Sequence, residues 1–128
     1  MSDIRSSSPG NYGQARLVSG TVTFSTPTVD LEALAPGDVV VQAWAEVTTA
    51  FNAATTNVIT LGNGVTADKF LNASDVTEGT PGVYPTGGKG PFTAETVAGT
   101  LRATFAQTGT AATTGAAKVY ALVTNLPA

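Results

Sequence analysis

The strongest pattern in the sequence is the period-two arrangement of apolar residues between Asp38 and Thr49. Successive side chains of a β-strand point to opposite faces, so a period of two predicts a half-buried strand. The small alanines in the pattern suit close packing of one sheet on another. The predicted inward set, which is wholly apolar, is Val39, Val41, Ala43, Ala45 and Val47, and the mixed outward set is Val40, Gln42, Trp44 and Glu46.

Four further stretches show the same period and are separated by Gly- and Pro-containing turns. They predict strands over Arg16–Phe24, Asn57–Leu61, Val97–Gln107 and Ala117–Thr124. The last two of these strands are joined by a short Gly-containing connection, Gly109–Gly115, which predicts a hairpin. Between the first strand and the central one, residues 29–35 fit either one helical turn or an extended run into the Pro36-Gly37 turn.

The connections are irregular, with helical turns at most. A short helical turn is predicted over Thr66–Ala73, with Phe70 and Leu71 packed inward, and a polar connection over Phe51–Thr56. The Pro- and Gly-rich stretch at 78–91 predicts a long loop without a regular element. Together these patterns predict an all-β, β-sandwich or jelly-roll-like single domain over residues 14–128, preceded by a flexible N-terminal arm, residues 1–13.

The residue types that most enzymes need are missing. The 128 residues include no His and no Cys, which excludes Ser-His-Asp and Cys-His catalysis. The nine acidic residues are scattered along the sequence. The loop around Lys89 resembles a phosphate-binding loop only superficially, because Val83 and Gly90 stand where Gly and Ser or Thr are needed. We therefore expect no enzyme activity and no cofactor.

One set of oxygen-bearing side chains is close enough in sequence to suggest calcium. Asn63, Asp68 and Asp75 lack the spacing of an EF-hand loop. Asn and Asp at such positions more often stabilise turns and helix caps. We therefore predict no metal site.

Charge argues against two classes of partner. Six basic residues are spread without a cluster and the net charge is −3, which is not the footprint of a nucleic-acid-binding protein. No apolar run reaches the roughly 18 residues of a membrane span. The N-terminal residues lack the hydrophobic stretch of a secretory signal, so synthesis and folding in a cytoplasm are expected.

The surface is expected to carry few charges. Charged residues make up 12% of the chain, against about 25% in typical soluble domains. A surface of Thr, Ala, Ser and Gly loses little on desolvation and suits contact with neighbouring subunits, although a Thr-rich sheet has the same composition. Weakly charged strand faces and edges favour a symmetric oligomer.

Five residues are candidates for contacts with a partner. Ile4 and Tyr12 are the sizeable apolar residues of the arm, and Tyr84 and Lys89 lie in the 78–91 stretch. Trp44 fits an interface or the core better than a platform for stacking a sugar, although both uses suit an aromatic ring.

Two Thr/Ala-rich blocks carry a resemblance to a known class of protein. The first is Val47-Thr48-Thr49-Ala50-Phe51-Asn52, followed by Thr55-Thr56-Asn57-Val58 and Leu61-Gly62. The second is Ala106-Gln107-Thr108-Gly109-Thr110-Ala111-Ala112, followed by Gly115-Ala116-Ala117. In order and spacing, over residues 38–125, the chain resembles small structural proteins of tailed bacteriophages.

The resemblance implies a virion component without catalytic residues. Foremost is a capsid decoration (cement) protein, a homotrimer that binds the major capsid protein on the outer shell after synthesis in the host cytoplasm. The alternatives are a tail, adaptor or head-fibre component, or a module on the virion surface that binds a carbohydrate or a receptor.

Overall fold

A computed structural model describes residues 15–86 and 93–125, and these residues form strands and connections without a helix. No helix able to cross a membrane is therefore found among them. The predicted arm, Ile4, Tyr12 and Lys89 lie outside the described residues. The strands are β1 (Ala15–Thr23), β2 (Thr28–Leu34), β3 (Asp38–Thr49), β4 (Thr56–Gly62), β5 (Gly82–Pro85), β6 (Gly99–Thr108) and β7 (Ala116–Asn125).

The strands form two antiparallel sheets that pack as a sandwich. One sheet has the order β1-β7-β3-β5 and the other β2-β6-β4, so consecutive strands always lie in different sheets. The first strand pairs with the last, the second with the sixth and the third with the fifth. These three pairs are nested in sequence: β3 and β5 lie between β2 and β6, which lie between β1 and β7, and β4 is in the middle. The predicted all-β sandwich is confirmed.

The core lies between the inner faces of the two sheets. Leu101, Ala103 and Phe105 of β6 are buried as the alternation predicted, and so are alternate residues of β7. Ala43, Ala45 and Val47 cover the inner face of β3. Phe51, predicted to lie in a polar connection, is instead a core residue with its ring centroid 4.4 Å from that of Phe105. It adds a side chain from a connection to the core that the strands form.

A β-bulge changes the predicted facing of the first half of β3. The pairing of β3 with β7 shifts between Val40 and Gln42, which leaves Val41 as an extra residue. Val40 therefore faces the core, whereas Val41 is exposed. Val39 is buried, but outside the core cluster. The inward prediction for Val41 and the outward prediction for Val40 are wrong because an alternation read from sequence assumes an unbroken strand.

Three predictions about connections also differ from the structure. The last two strands do not form a hairpin, because β6 and β7 lie in different sheets and the loop at 109–115 crosses between them. A short strand, β5, forms inside the stretch predicted to be loop. Residues 66–73 form turns without a helix, although Phe70 and Leu71 are fully buried as predicted. The segment at 29–35 takes the extended alternative, as β2.

The two Thr/Ala-rich blocks meet in space. Ala54 and Thr55 donate backbone hydrogen bonds to Thr110 and Thr108. The Asn52 Oδ1 atom accepts the N–H groups of Thr113 and Thr114 at 2.8 and 3.1 Å. We call this contact between the β3–β4 and β6–β7 connections the loop junction. It shows that the two sequence blocks form one structural unit.

Candidate docking face

The buried carboxylates hold the fold together. Asp38, at the start of β3, accepts the Ala35 N–H and the Asn125 amide, both at 2.8 Å, and lies 3.4 Å from Arg16 Nη2. Burial alone would raise the pKa of Asp38, but these hydrogen bonds and the Arg16 charge outweigh it and hold the pKa below its usual value. The Arg16 guanidinium also binds both oxygens of Glu32 at 2.8 Å, which ties the two sheets together.

The other two buried acidic residues, Glu95 and Glu78, accept hydrogen bonds that hold the connections between strands in place. Glu95 accepts the Asn63 amide and the Lys69 ammonium, each at 2.8 Å. Glu78 accepts the Ile59 N–H at 2.8 Å, and its carbonyl oxygen accepts the Phe51 N–H. Burial raises the pKa of Glu78, and the hydrogen bonds to its carboxylate offset only part of that rise.

Two of the three calcium candidates, Asn63 and Asp75, have turn roles. Asn63 Oδ1 accepts the N–H groups of Val65 and Thr66, and an Asp75 carboxylate oxygen accepts the Asn72 N–H. Among residues 15–86 and 93–125 no three acidic side chains converge on a point where an ion would sit.

An open groove lies at one end of the four-stranded sheet. It encloses about 360 Å³ and is lined by residues 23–25, 49 and 113–116, among them Phe24 and several Thr and Ser hydroxyls. No charged side chain lines it. Small-molecule sites bury most of their ligand and place polar groups convergently. This groove is open to solvent, so it has the shape of a surface depression between strand ends.

The outer face of the four-stranded sheet carries a group of apolar side chains. Six of them, contributed by all four strands, form the surface that we call the apolar face. The register sets Leu17 opposite Leu122, and Trp44 opposite both Tyr120 and Pro85. Its members are Leu17, Trp44, Val83, Pro85, Tyr120 and Leu122.

Trp44 and Tyr120 form the centre of the apolar face. Their ring centroids are 5.5 Å apart and their planes differ by 14°, so the rings are stacked on each other. Each ring has already used one of its flat sides in this contact. The pair is therefore a raised aromatic ridge on the sheet, which suits packing against another protein better than stacking a sugar ring.

The outer face of the three-stranded sheet has a different chemistry. Thr28, Thr104 and Thr60 lie side by side across it. Asp30 and Arg102 form an exposed ion pair at 2.6 Å. Hydroxyls and paired charges keep favourable contacts with water, so this face is stable when solvated. The two outer faces of the sandwich are therefore chemically unequal.

The two described candidates for partner contacts, Trp44 and Tyr84, lie in different environments. Trp44 lies on the apolar face. Tyr84 lies in β5 with its ring against the core, and its hydroxyl donates to the Thr80 carbonyl at 2.6 Å. The structure therefore gives Tyr84 an internal hydrogen bond, and a contact with a partner stays a prediction for it.

Sequence reasoning missed most of the apolar face. Leu17, Val83, Pro85 and Leu122 were not candidates, because each is a single outward apolar residue on its own strand. They become a surface only through the order β1-β7-β3-β5, which places distant segments side by side. The sequence does indicate that each of these residues points outward on its own strand. It does not indicate the order of the strands in the sheet, and that order decides which of the residues are neighbours.

Comparisons with known proteins identify the fold. No protein-family model matches the chain, and no curated protein matches it. A chain in the capsid asymmetric unit of cyanophage Pam1 superposes with a TM-score of 0.61 at 20% identity, covering 99% of this chain and 96% of that one. A chain in the acid-stable capsid structure of Helicobacter pylori bacteriophage KHP30 gives 0.66 at 18% identity, covering 91% of each. The chain therefore shares its fold with chains found in phage capsid structures.

Proposed function

We propose that this chain is a structural protein of a tailed-bacteriophage virion, and in particular a decoration protein on the outer capsid shell. The observation that carries the proposal is the nearly full-length agreement of the fold with chains from two phage capsid structures. At 20% and 18% identity the agreement concerns architecture. The resemblance of the two Thr/Ala blocks supports the same class independently.

The strand order gives further support. Nested pairing of the first strand with the last is how a jelly roll is wound, and jelly rolls recur in viral capsid domains. A jelly roll has eight strands, and this sandwich has seven. The irregular residues 63–81, between β4 and β5, occupy the sequence position where an eighth strand would come.

A decoration protein would work by burying weakly charged surface across subunit boundaries. A specific contact typically buries about 1,600 Å² in total. The binding energies of many such contacts on one shell would add up and would help the shell to resist internal pressure. The chain has no His and no Cys, and its buried carboxylates hold structural hydrogen bonds, so we propose a role without catalysis.

The direct test is reconstitution. Particles assembled without this chain are mixed with the purified protein at about 1–10 μM, and bound protein and the temperature of genome release are measured. We expect saturable binding to the shell and a higher release temperature. Absence from the shell at these concentrations would contradict the decoration role.

Labelling the protein on intact particles would distinguish the alternative roles, because each role predicts a different position on the virion. Gold-labelled protein seen on tails or fibres would favour a tail, adaptor or head-fibre component. For a module that binds a receptor or carbohydrate, the observation in favour is the short edge strand β5 with its exposed Val83, next to the segment that contains Lys89. Such a module would bind host cells or a glycan array, and Lys89→Ala would weaken that binding.

A further inference from the structure

The apolar face leaves large apolar side chains in contact with water. Leu17 is 58% exposed and Val83 is 62% exposed. Around them stand the half-buried Trp44, Tyr120 and Leu122. Contiguous apolar patches of more than a few hundred Å² on a soluble protein mark an interaction site.

The charges on this face are balanced and paired in register. Among the described outward positions of the four strands, the charged side chains are Glu46 and Lys118. They lie directly opposite each other on β3 and β7. A face with one charge of each sign, on its two inner strands, does not complement a strongly charged partner. It complements a copy of itself.

We infer that the partner on the apolar face is a second copy of this chain, packed face to face about a two-fold axis. The axis runs parallel to the strands, between β3 and β7. This operation exchanges the positions of the two central strands, as an isologous contact requires. Glu46 of each copy then faces Lys118 of the other, and Trp44 faces Tyr120. Sheets packed face to face lie about 10 Å apart with their mean strand directions within about 30° of each other, and this axis keeps the central strands of the two copies close to parallel.

The size of the face fits such a contact. At about 3.3 Å per residue and about 4.8 Å between strands, the four strands, which have 9, 10, 12 and 4 residues, give a footprint of roughly 550 Å². A standard interface takes about 800 Å² from each partner. Side chains that rise from the sheet add to the flat footprint, so face-to-face packing alone approaches the area that a stable pair needs.

The inference is independent of the proposed function. It concerns which surface joins two copies, whether or not the assembly binds a capsid. The threefold contact that the resemblance implies would use other surfaces. A chain that made both contacts would form assemblies with an even number of copies.

The first experiment measures mass. Light scattering coupled to size-exclusion chromatography at about 50 μM should give an even number of chains for the unaltered protein. Leu17→Glu, which places a carboxylate on the face, should weaken the pairing by about tenfold or more. The matched control is Val65→Glu, because Val65 is 80% exposed and lies in a turn away from this sheet. Thermal unfolding of both variants verifies that they fold.

The second experiment tests the two-fold geometry. Glu46→Lys alone and Lys118→Glu alone should each weaken self-association, because each brings like charges together across the contact. An equimolar mixture of the two variants should restore pairing as a heterodimer. A monomer, an odd number of chains, pairing unaffected by Leu17→Glu, or no heterodimer in the mixture would each overturn the inference.

Discussion

At the scale of single residues, Glu78 is a carboxylate held where its charge is disfavoured. Its side chain is 6% exposed and is held by the Ile59 N–H. Because its pKa is raised in the folded state, the folded protein binds this proton more tightly than the unfolded chain. The stability from this residue is complete below the ordinary glutamate pKa and is lost as pH rises through the folded value.

Glu78→Gln should remove that pH dependence. The amide oxygen can still accept the Ile59 N–H, and no charge is buried. In urea denaturation between about pH 4 and pH 8, the unaltered protein should lose free energy of unfolding relative to the variant as pH rises. Asp68→Asn, at an exposed turn position, controls for the loss of one negative charge. A difference between Glu78→Gln and the unaltered protein that stays constant with pH would contradict this account.

Asp38 should show the opposite dependence. Its pKa is lowered in the folded state, so the stability that it contributes is present above the ordinary aspartate pKa and is lost as pH falls through the folded value. Asp38→Asn should cost about 1–3 kcal/mol at pH 7, because Arg16 and the Ala35 N–H lose a charged acceptor. The difference from the unaltered protein should shrink below about pH 4.

The matched comparison is Asp30→Asn, since Asp30 pairs with Arg102 at the surface. An exposed pair contributes little to stability, so this variant should unfold close to the unaltered protein. Equal destabilisation by the two substitutions would show that burial of Asp38 is not the cause.

At the scale of elements, the sequence predicted those features that depend on a single strand, namely its position in the chain and which of its residues are buried. Alternation identified β1, β3, β4, β6 and β7, and the buried positions of β6 and β7 followed from it. It failed at Val41, where a bulge breaks the period, and at β5, where four residues are held by pairing with β3 in a Pro- and Gly-rich stretch.

The sequence did not predict which strands pair with each other. The hairpin prediction failed because a seven-residue loop can either turn back within one sheet or cross to the other. Here the crossing is stabilised by the loop junction, whose Asn52 lies about sixty residues from its Thr113 and Thr114 partners. The apolar face was missed for the same reason, since its residues meet only after β7 has paired between β1 and β3.

The loop junction also constrains a glycine. Gly115 has a φ of 143°, which L side chains rarely adopt, and a Cβ at this position would meet the Phe51 ring. Gly115→Ala should therefore cost about 1–3 kcal/mol by overpacking, with backbone strain in addition. Gly79→Ala is the control, because nothing lies within 4 Å of its added Cβ. Equal melting temperatures for the two variants would contradict the packing described at this junction.

At the scale of the whole molecule, the face-to-face contact predicts how self-association responds to solution conditions. It rests on apolar burial with two Glu46–Lys118 pairs, and each such pair contributes at most about 1 kcal/mol. Raising NaCl from about 0.05 to 0.5 M should weaken pairing by no more than about tenfold. Sulfate should strengthen it. A much steeper loss in NaCl, measured by sedimentation, would indicate a contact dominated by charge.

The nested pairing of strands has a consequence for the order of events during synthesis. Tyr120, Leu122 and Lys118 belong to β7, which follows the other six described strands along the chain and is an inner strand of its sheet. A nascent chain that ends at β6 has β1 and β3 without the strand that joins them, so it lacks half of the aromatic ridge. Recognition by a second copy then begins only after β7 has inserted between β1 and β3. Pairing would therefore select chains in which β7 is in place over chains that lack it.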